Sequence, residues 1–218
     1  MNDLSSSAAS QPEIEWFFDF VSPFSYLQWK QFQQWPVPPR IQAIPILFGA
    51  VLNHWGQKAP AEIEPKRVFT YRYAQFRAQQ LGIAYRMPPA HPFNPIKALR
   101  LALALGTAPA TVDAIFAFIW GEGHDPSDQK AFATLCGRLG VTDPSVIEAP
   151  AVKQTLRENT ERAIAQQVFG VPTSVLRGAL FWGEDAGAML QACLRDPTWL
   201  DTAEIRRISA LPVGVQRG

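Results

Sequence analysis

Cysteine is almost missing from this chain. Only Cys136 and Cys193 occur, far apart and in no CxxC pair, which excludes a dithiol redox centre and a disulfide scaffold. Cys136 falls in the apolar pattern Phe132, Leu135, Cys136, Leu139 and reads as a buried, inert thiol. Histidine is scarce too: His54, His91 and His124 share no spacing that would gather them on one helix face, so no metal site is expected. Charge is sparse at 18%, the formal net charge is +1, and no basic run exceeds Lys66-Arg67, which excludes a stripe for tracking nucleic-acid phosphates. No apolar run approaches the roughly 20 residues needed to span a bilayer; the longest, Ala43 to Val51 and Ala114 to Trp120, read as short buried segments. The opening MNDLSSSAASQPE has neither a basic start nor an apolar centre, so it reads as a polar leader rather than a secretory signal, and a cytoplasmic protein is expected.

What is present is a chain long enough for a full core, 218 residues and 47% hydrophobic. The aromatic and β-branched run Ile14 to Val21 suits a strand buried on both faces. Ser22-Pro23-Phe24-Ser25 interrupts it, and from Tyr26 the positions Leu27, Phe32 and Trp35 recur at helical spacing, with proline where a first helical turn accepts it. A second extended stretch, Arg40 to Ile46, follows the Pro36 to Pro39 breakers, and the right-handed crossover rule makes it a parallel neighbour of the first. The next hundred residues predict helices: Pro65 to Leu81, Pro95 to Leu105, Val112 to Trp120 and Gln129 to Leu139, separated by glycine, proline and aspartate. Ala149 to Gln167 is a further helix. Thr173 to Leu176 and Ala179 to Trp182 form a hairpin about Arg177-Gly178, and a last helix runs from Ala188 to Arg195.

Two junctions carry chemical content. Ser22 stands where a strand meets a helix, and there the unpaired first-turn N–H groups favour an anion. Its hydroxyl either caps the helix or donates to such an anion; no histidine stands at a spacing that would make it an activated nucleophile. The second junction is Gly170-Val171-Pro172-Thr173, where proline opens a strand: an ordinary trans bond, or a cis bond that presents the Val171 main chain like a free strand edge. Asp185, before the last helix, is a cap or a grip for an ammonium group. Lys66 and Arg67 read as solvated charges, Asn94 in HPFNP as a turn cap, and Trp55, Trp120 and Trp182 as core residues or walls of an aromatic pocket.

The segments FFDFVSPFSYL, PILFGAVLNHWGQKAP, HPFNPIKALR and TERAIAQQVFGVPTSVLRGALFWGEDA, in this order, resemble the 2-hydroxychromene-2-carboxylate isomerase family, which is similar to kappa-class glutathione transferases and more distantly to DsbA-type oxidoreductases. The likeness runs from about residue 13 to 198. It implies an α/β, thioredoxin-like (DsbA-like) domain from 13–48 and 150–198, an all-helical insertion at 49–149, and flexible or peripheral termini at 1–12 and 199–218. It also implies glutathione as cofactor, a small aromatic carboxylic acid as substrate, and a homodimer. The activity implied is isomerisation of 2-hydroxychromene-2-carboxylate to trans-o-hydroxybenzylidenepyruvate.

By that resemblance Ser22 meets the glutathione sulfur and Ser25 takes the second-cysteine position of the redox relatives. Val171 and Pro172 form the cis-proline loop facing the cysteinyl part; Glu184 and Asp185 hold the γ-glutamyl end, Lys66 the glycyl carboxylate, and Gln57 replaces a family asparagine. Phe24, Trp55 and Asn94 are the candidates for the substrate pocket. The chain departs from the family pattern at Ala186, where an arginine is usual, and at Gln57, one methylene longer than asparagine. Two alternatives stand beside the isomerase: a kappa-like transferase that consumes glutathione, and a binding protein of the same fold without catalysis.

Overall fold

A computed structural model describes residues 12–215. Its sheet has the strand order β2-β1-β3-β4, with β1 (Glu13–Phe18), β2 (Arg40–Pro45), β3 (Thr173–Leu176) and β4 (Ala179–Trp182). β1 runs parallel to β2, with Trp16 opposite Ala43, and antiparallel to β3, with Trp16 opposite Ser174. β3 and β4 form the expected hairpin, its turn supplied by Arg177 and Gly178, both at positive φ. Strand alternation divides the interior. Ile14, Trp16 and Phe18 point into one large core, while Phe17 points the other way, toward Ile44, Ile46, Val51, Ala163, Val168, Val171 and Val175.

Helix α1 (Pro23–Gln34) starts where the Ser22 hydroxyl accepts the Ser25 amide and Pro23 occupies a first-turn position. It ends at Trp35, which is extended because Pro36 follows. α2 (Phe48–His54) lies in an apolar run whose pattern distinguishes strand from helix poorly, and no helix was expected there. It packs on α7 (Pro150–Ala165) and places Val51 in the smaller core, so residues 48–54 side with the sheet by packing rather than with the insertion.

The helical stretch holds α3 (Glu64–Gln80), α4 (Ile96–Ala104), α5 (Pro109–Phe116) and α6 (Gln129–Arg138). The helix expected over Val112 to Trp120 gives way after Phe116 to a wide π-type turn, Ala117–Gly121. That widening lets three consecutive side chains, Phe118, Ile119 and Trp120, all be buried. α8 (Gly187–Arg195) closes the sheet end, and an exposed short helix, α9 (Ala203–Ser209), follows it in the segment expected to be peripheral. The expected leader lies almost wholly outside the described residues. Among those residues no helix is long and apolar enough to cross a membrane.

Candidate active site

The ends of β1 and β3, the start of α1, α2 with the loop after it, and the segment around His91 enclose an apolar cavity of about 620 Å³. Ser22 is at its wall, buried, at the start of α1. Its oxygen accepts the Ser25 amide at 3.2 Å, while its hydrogen has, among the described residues, only the Val171 carbonyl, at 3.5 Å, to go to. A bond of that length is weak, so the hydroxyl hydrogen is free to serve a stronger acceptor arriving in the cavity.

Val171 faces Ser22 across the wall. The bond to Pro172 is cis, the Pro172 carbonyl accepts the Gly183 amide at 2.9 Å, and the ladder begins only at Thr173. The Val171 main chain therefore lies outside the ladder, beside the cavity. Gly170 is required next to it: a Cβ there would collide with the Trp182 indole, which leans over this stretch and packs edge-on to Phe169 with ring centroids 5.1 Å apart.

Asp19 and His91 also line the cavity. Asp19 is fully buried, and its two carboxylate oxygens accept the Val21 and Phe48 amides, each at 3.0 Å. Burial outweighs these two bonds and pushes its pKa up to about 7. His91 lies 2.8 Å from the Val21 carbonyl through Nε2 and 2.9 Å from the Tyr71 hydroxyl through Nδ1; burial lowers its pKa and keeps it neutral. Burial also raises the pKa of Tyr71.

Of the residues singled out from sequence, Ser22, Phe24, Gln57, Val171 and Trp182 line this cavity and Pro172 backs it through the cis bond. The others do not. Glu184 is buried, and its carboxylate already accepts from Arg77 at 2.6 and 3.1 Å and from Gln31 at 2.6 Å. Asp185 is exposed, with its carboxylate folded over Gly183. Lys66 is exposed in the first turn of α3, Trp55 donates to the Val168 carbonyl at 2.9 Å, and Asn94 caps a turn by accepting the Ile96 amide. Lys58 is the cationic residue that lines the cavity.

Sequence reasoning missed Asp19, Lys58 and His91. The signal for Asp19 was visible as a lone acid inside FFDFV, and that for His91 as the residue before a proline; Lys58 had none. Cys136 and Cys193 are buried free thiols outside the cavity, and burial raises the pKa of both. Ser25 is buried, and its hydroxyl has no partner among the described residues.

A model of the DSBA-like thioredoxin domain matches residues 13–195. The chain belongs to that family. Within it, the chain is 29% identical over 195 residues to 2-hydroxychromene-2-carboxylate isomerase of Pseudomonas putida, a match that takes in 83% of this chain and 93% of the relative. It is 22% identical over 179 residues to glutathione S-transferase kappa 1 of Caenorhabditis elegans, covering 74% of this chain and 79% of the relative. A solved structure of 2-hydroxychromene-2-carboxylate isomerase superposes with a TM-score of 0.73 at 25% identity, over 92% of this chain and 100% of that one. Ser22 and Ser25 put no thiol at the start of α1, whereas disulfide exchange needs an attacking thiolate and a resolving thiol.

Proposed function

We propose that the protein is a glutathione-dependent isomerase that converts 2-hydroxychromene-2-carboxylate, or a related aromatic hemiketal acid, to the trans-o-hydroxybenzylidenepyruvate type of product. One observation carries this reading: a hydroxyl whose hydrogen is held by nothing stronger than a 3.5 Å bond to the Val171 carbonyl stands at the head of α1, at the wall of an apolar cavity, opposite the main chain of a cis-proline loop. The likeness to isomerases of that name supplies the reaction class.

The donor set suits glutathione at its centre and is reassigned at its ends. Ser22 and the positive end of α1 would hold the sulfur as an anion, because donated hydrogen and the helix dipole both favour the charged form. The Val171 main chain offers the cysteinyl part an edge to pair with. Lys58, which lines the cavity with Asn53 and Gln57, would serve as the cation for a carboxylate in place of Lys66, and Glu62, which lines the same cavity, would be available to the ammonium end. When bound, glutathione supplies a nucleophilic sulfur that adds to and leaves the conjugated double bond of the ring-opened acid, which allows that bond to turn from cis to trans. Phe24, Phe48, Phe93 and Trp182 wall the cavity, hold a flat aromatic acid and exclude water.

The test is the absorbance change of the chromene acid with and without glutathione, together with a count of free thiol after many turnovers. Isomerisation that needs glutathione and leaves the thiol count unchanged supports the reading. Loss of one thiol per product favours the transferase, to which the similarity with the kappa enzyme points. Ser22→Gly gives the sharper check, since glycine costs a helix cap only a few tenths of a kcal/mol yet has no hydroxyl. Turnover is expected to fall by about 10²-fold, the usual effect of losing one donor to a developing anion, together with the ultraviolet absorbance of bound thiolate. A Ser22→Gly enzyme with undiminished turnover would remove Ser22 from the mechanism.

A further inference from the structure

The residue before Ser22 is held by both of its main-chain groups, and by side chains from two directions. The Val21 amide donates to one oxygen of Asp19, whose other oxygen takes the Phe48 amide at the start of α2. The Val21 carbonyl lies 2.8 Å from Nε2 of His91. A carbonyl only accepts, so Nε2 carries the hydrogen, and Nδ1 is left facing the hydroxyl of Tyr71 on α3. The single hydrogen of that hydroxyl is shared between Nδ1 and the His91 carbonyl, which lies 2.8 Å away, and this holds the residue from its far side. The Ser22 amide, in turn, donates to the Asp19 carbonyl at 3.1 Å.

Hydrogen bonds therefore run without a break from α2, through Asp19, the Val21 peptide and His91, to α3. The peptide linking Val21 to Ser22 lies in the middle of that path. The four-residue connection 19–22 between β1 and α1 has rotational freedom of its own, and here both polar groups of its third residue, Val21, are tied to side chains. We propose that Asp19 and His91 are positioning residues for Ser22, fixing its hydroxyl toward the cavity by clamping the Val21 peptide between α2 and α3. The catalytic side of this inference rests on the role proposed for Ser22; the structural side does not, because Ser22 also accepts the Ser25 amide, and exchange at that amide reports where the hydroxyl stands.

The experiment compares the full-length protein with its His91→Leu, His91→Gln and Tyr71→Phe variants, reading kcat and KM with glutathione and the chromene acid, and amide exchange at Ser25. Glutamine carries a nitrogen donor that reaches the Val21 carbonyl; leucine does not. His91→Leu is expected to lose about 10²-fold in kcat, the scale of an ångström misplacement, with little change in KM for glutathione and faster exchange at Ser25. His91→Gln should recover most of both. Tyr71→Phe, the milder change in case leucine prevents folding, should lose about 2- to 10-fold in kcat, the worth of one hydrogen bond. Unchanged Ser25 exchange in both His91→Leu and Tyr71→Phe, or a glutamine variant as impaired as the leucine one, overturns the proposal. If the parent protein does not isomerise the acid, yet leucine speeds Ser25 exchange and glutamine reverses it, the positioning role stands and the proposed reaction falls.

Discussion

Asp19 holds a carboxylate where water does not reach, and the consequence is thermodynamic as well as positional. Its pKa is raised by burial from the ordinary 3.8 to about 7, against the opposing pull of the Val21 and Phe48 amides. The folded state therefore binds a proton more tightly than the unfolded chain does. Stability from this group is complete below about pH 4 and is lost as pH rises through about 7, amounting to about 4 kcal/mol at 1.36 kcal/mol per pKa unit. The other titratable groups lining the same cavity are His91, Lys58 and Glu62. Urea midpoints at pH 5 and pH 8 check this: the parent protein should be less stable at pH 8, and Asp19→Asn should lose most of that difference. A parent whose midpoint does not fall between those pH values would show that the two amides, not burial, govern the carboxylate. At this scale the sequence was informative where function coincides with local backbone rules: serine before proline, and proline at the mouth of a strand. What holds Asp19 and Glu184 was illegible for a different reason. Their partners, Phe48 and Arg77, lie 29 and 107 residues away, and no spacing rule links them.

Between elements, the Arg77–Glu184 pair decides how α3 sits on the rest of the molecule. The guanidinium reaches from α3 into the turn Glu184–Ala186, and Gln31 of α1 completes the carboxylate's partners. The hydrogen bond to Glu184 raises the Arg77 pKa, and the Glu184 side chain is only 2% exposed. Removing one partner of a buried pair leaves the other uncompensated, so Arg77→Ala is expected to cost about 3–5 kcal/mol, whereas Arg77→Met with Glu184→Gln should recover most of it. A double-mutant cycle by urea unfolding measures both, and equal costs for single and double variants would mean that the pair is not coupled. The hairpin, α1 and β2 were legible at this scale because breakers and alternation bound them on both sides. α2 was not: PILFGAVL is apolar throughout, so its helical state comes from the seat that α7 offers and not from its own pattern.

Across the whole molecule the helical stretch and the sheet share one interior. Phe116, at the end of α5, is fully buried against rings of the sheet side: its centroid lies 5.5 Å from Phe18, 4.6 Å from Phe20 and 6.1 Å from Tyr26. Trp120 donates to the Phe20 carbonyl at 2.8 Å, and Trp29 of α1 to the Asp113 carboxylate of α5 at 3.0 Å. This packing could not be read from the sequence, because a run of amphipathic helices does not reveal which apolar face meets which partner. An insertion with its own core would unfold in its own transition. A stretch whose largest side chains complete the core of the sheet domain has no such independence, so one cooperative transition is expected. Far-ultraviolet circular dichroism and tryptophan fluorescence should give superimposable urea curves. Phe116→Ala, which opens a cavity at the shared boundary, should move both curves together by about 3–5 kcal/mol. Two separated transitions, with Phe116→Ala displacing only one, would show that the helical stretch holds itself together and merely leans on the sheet.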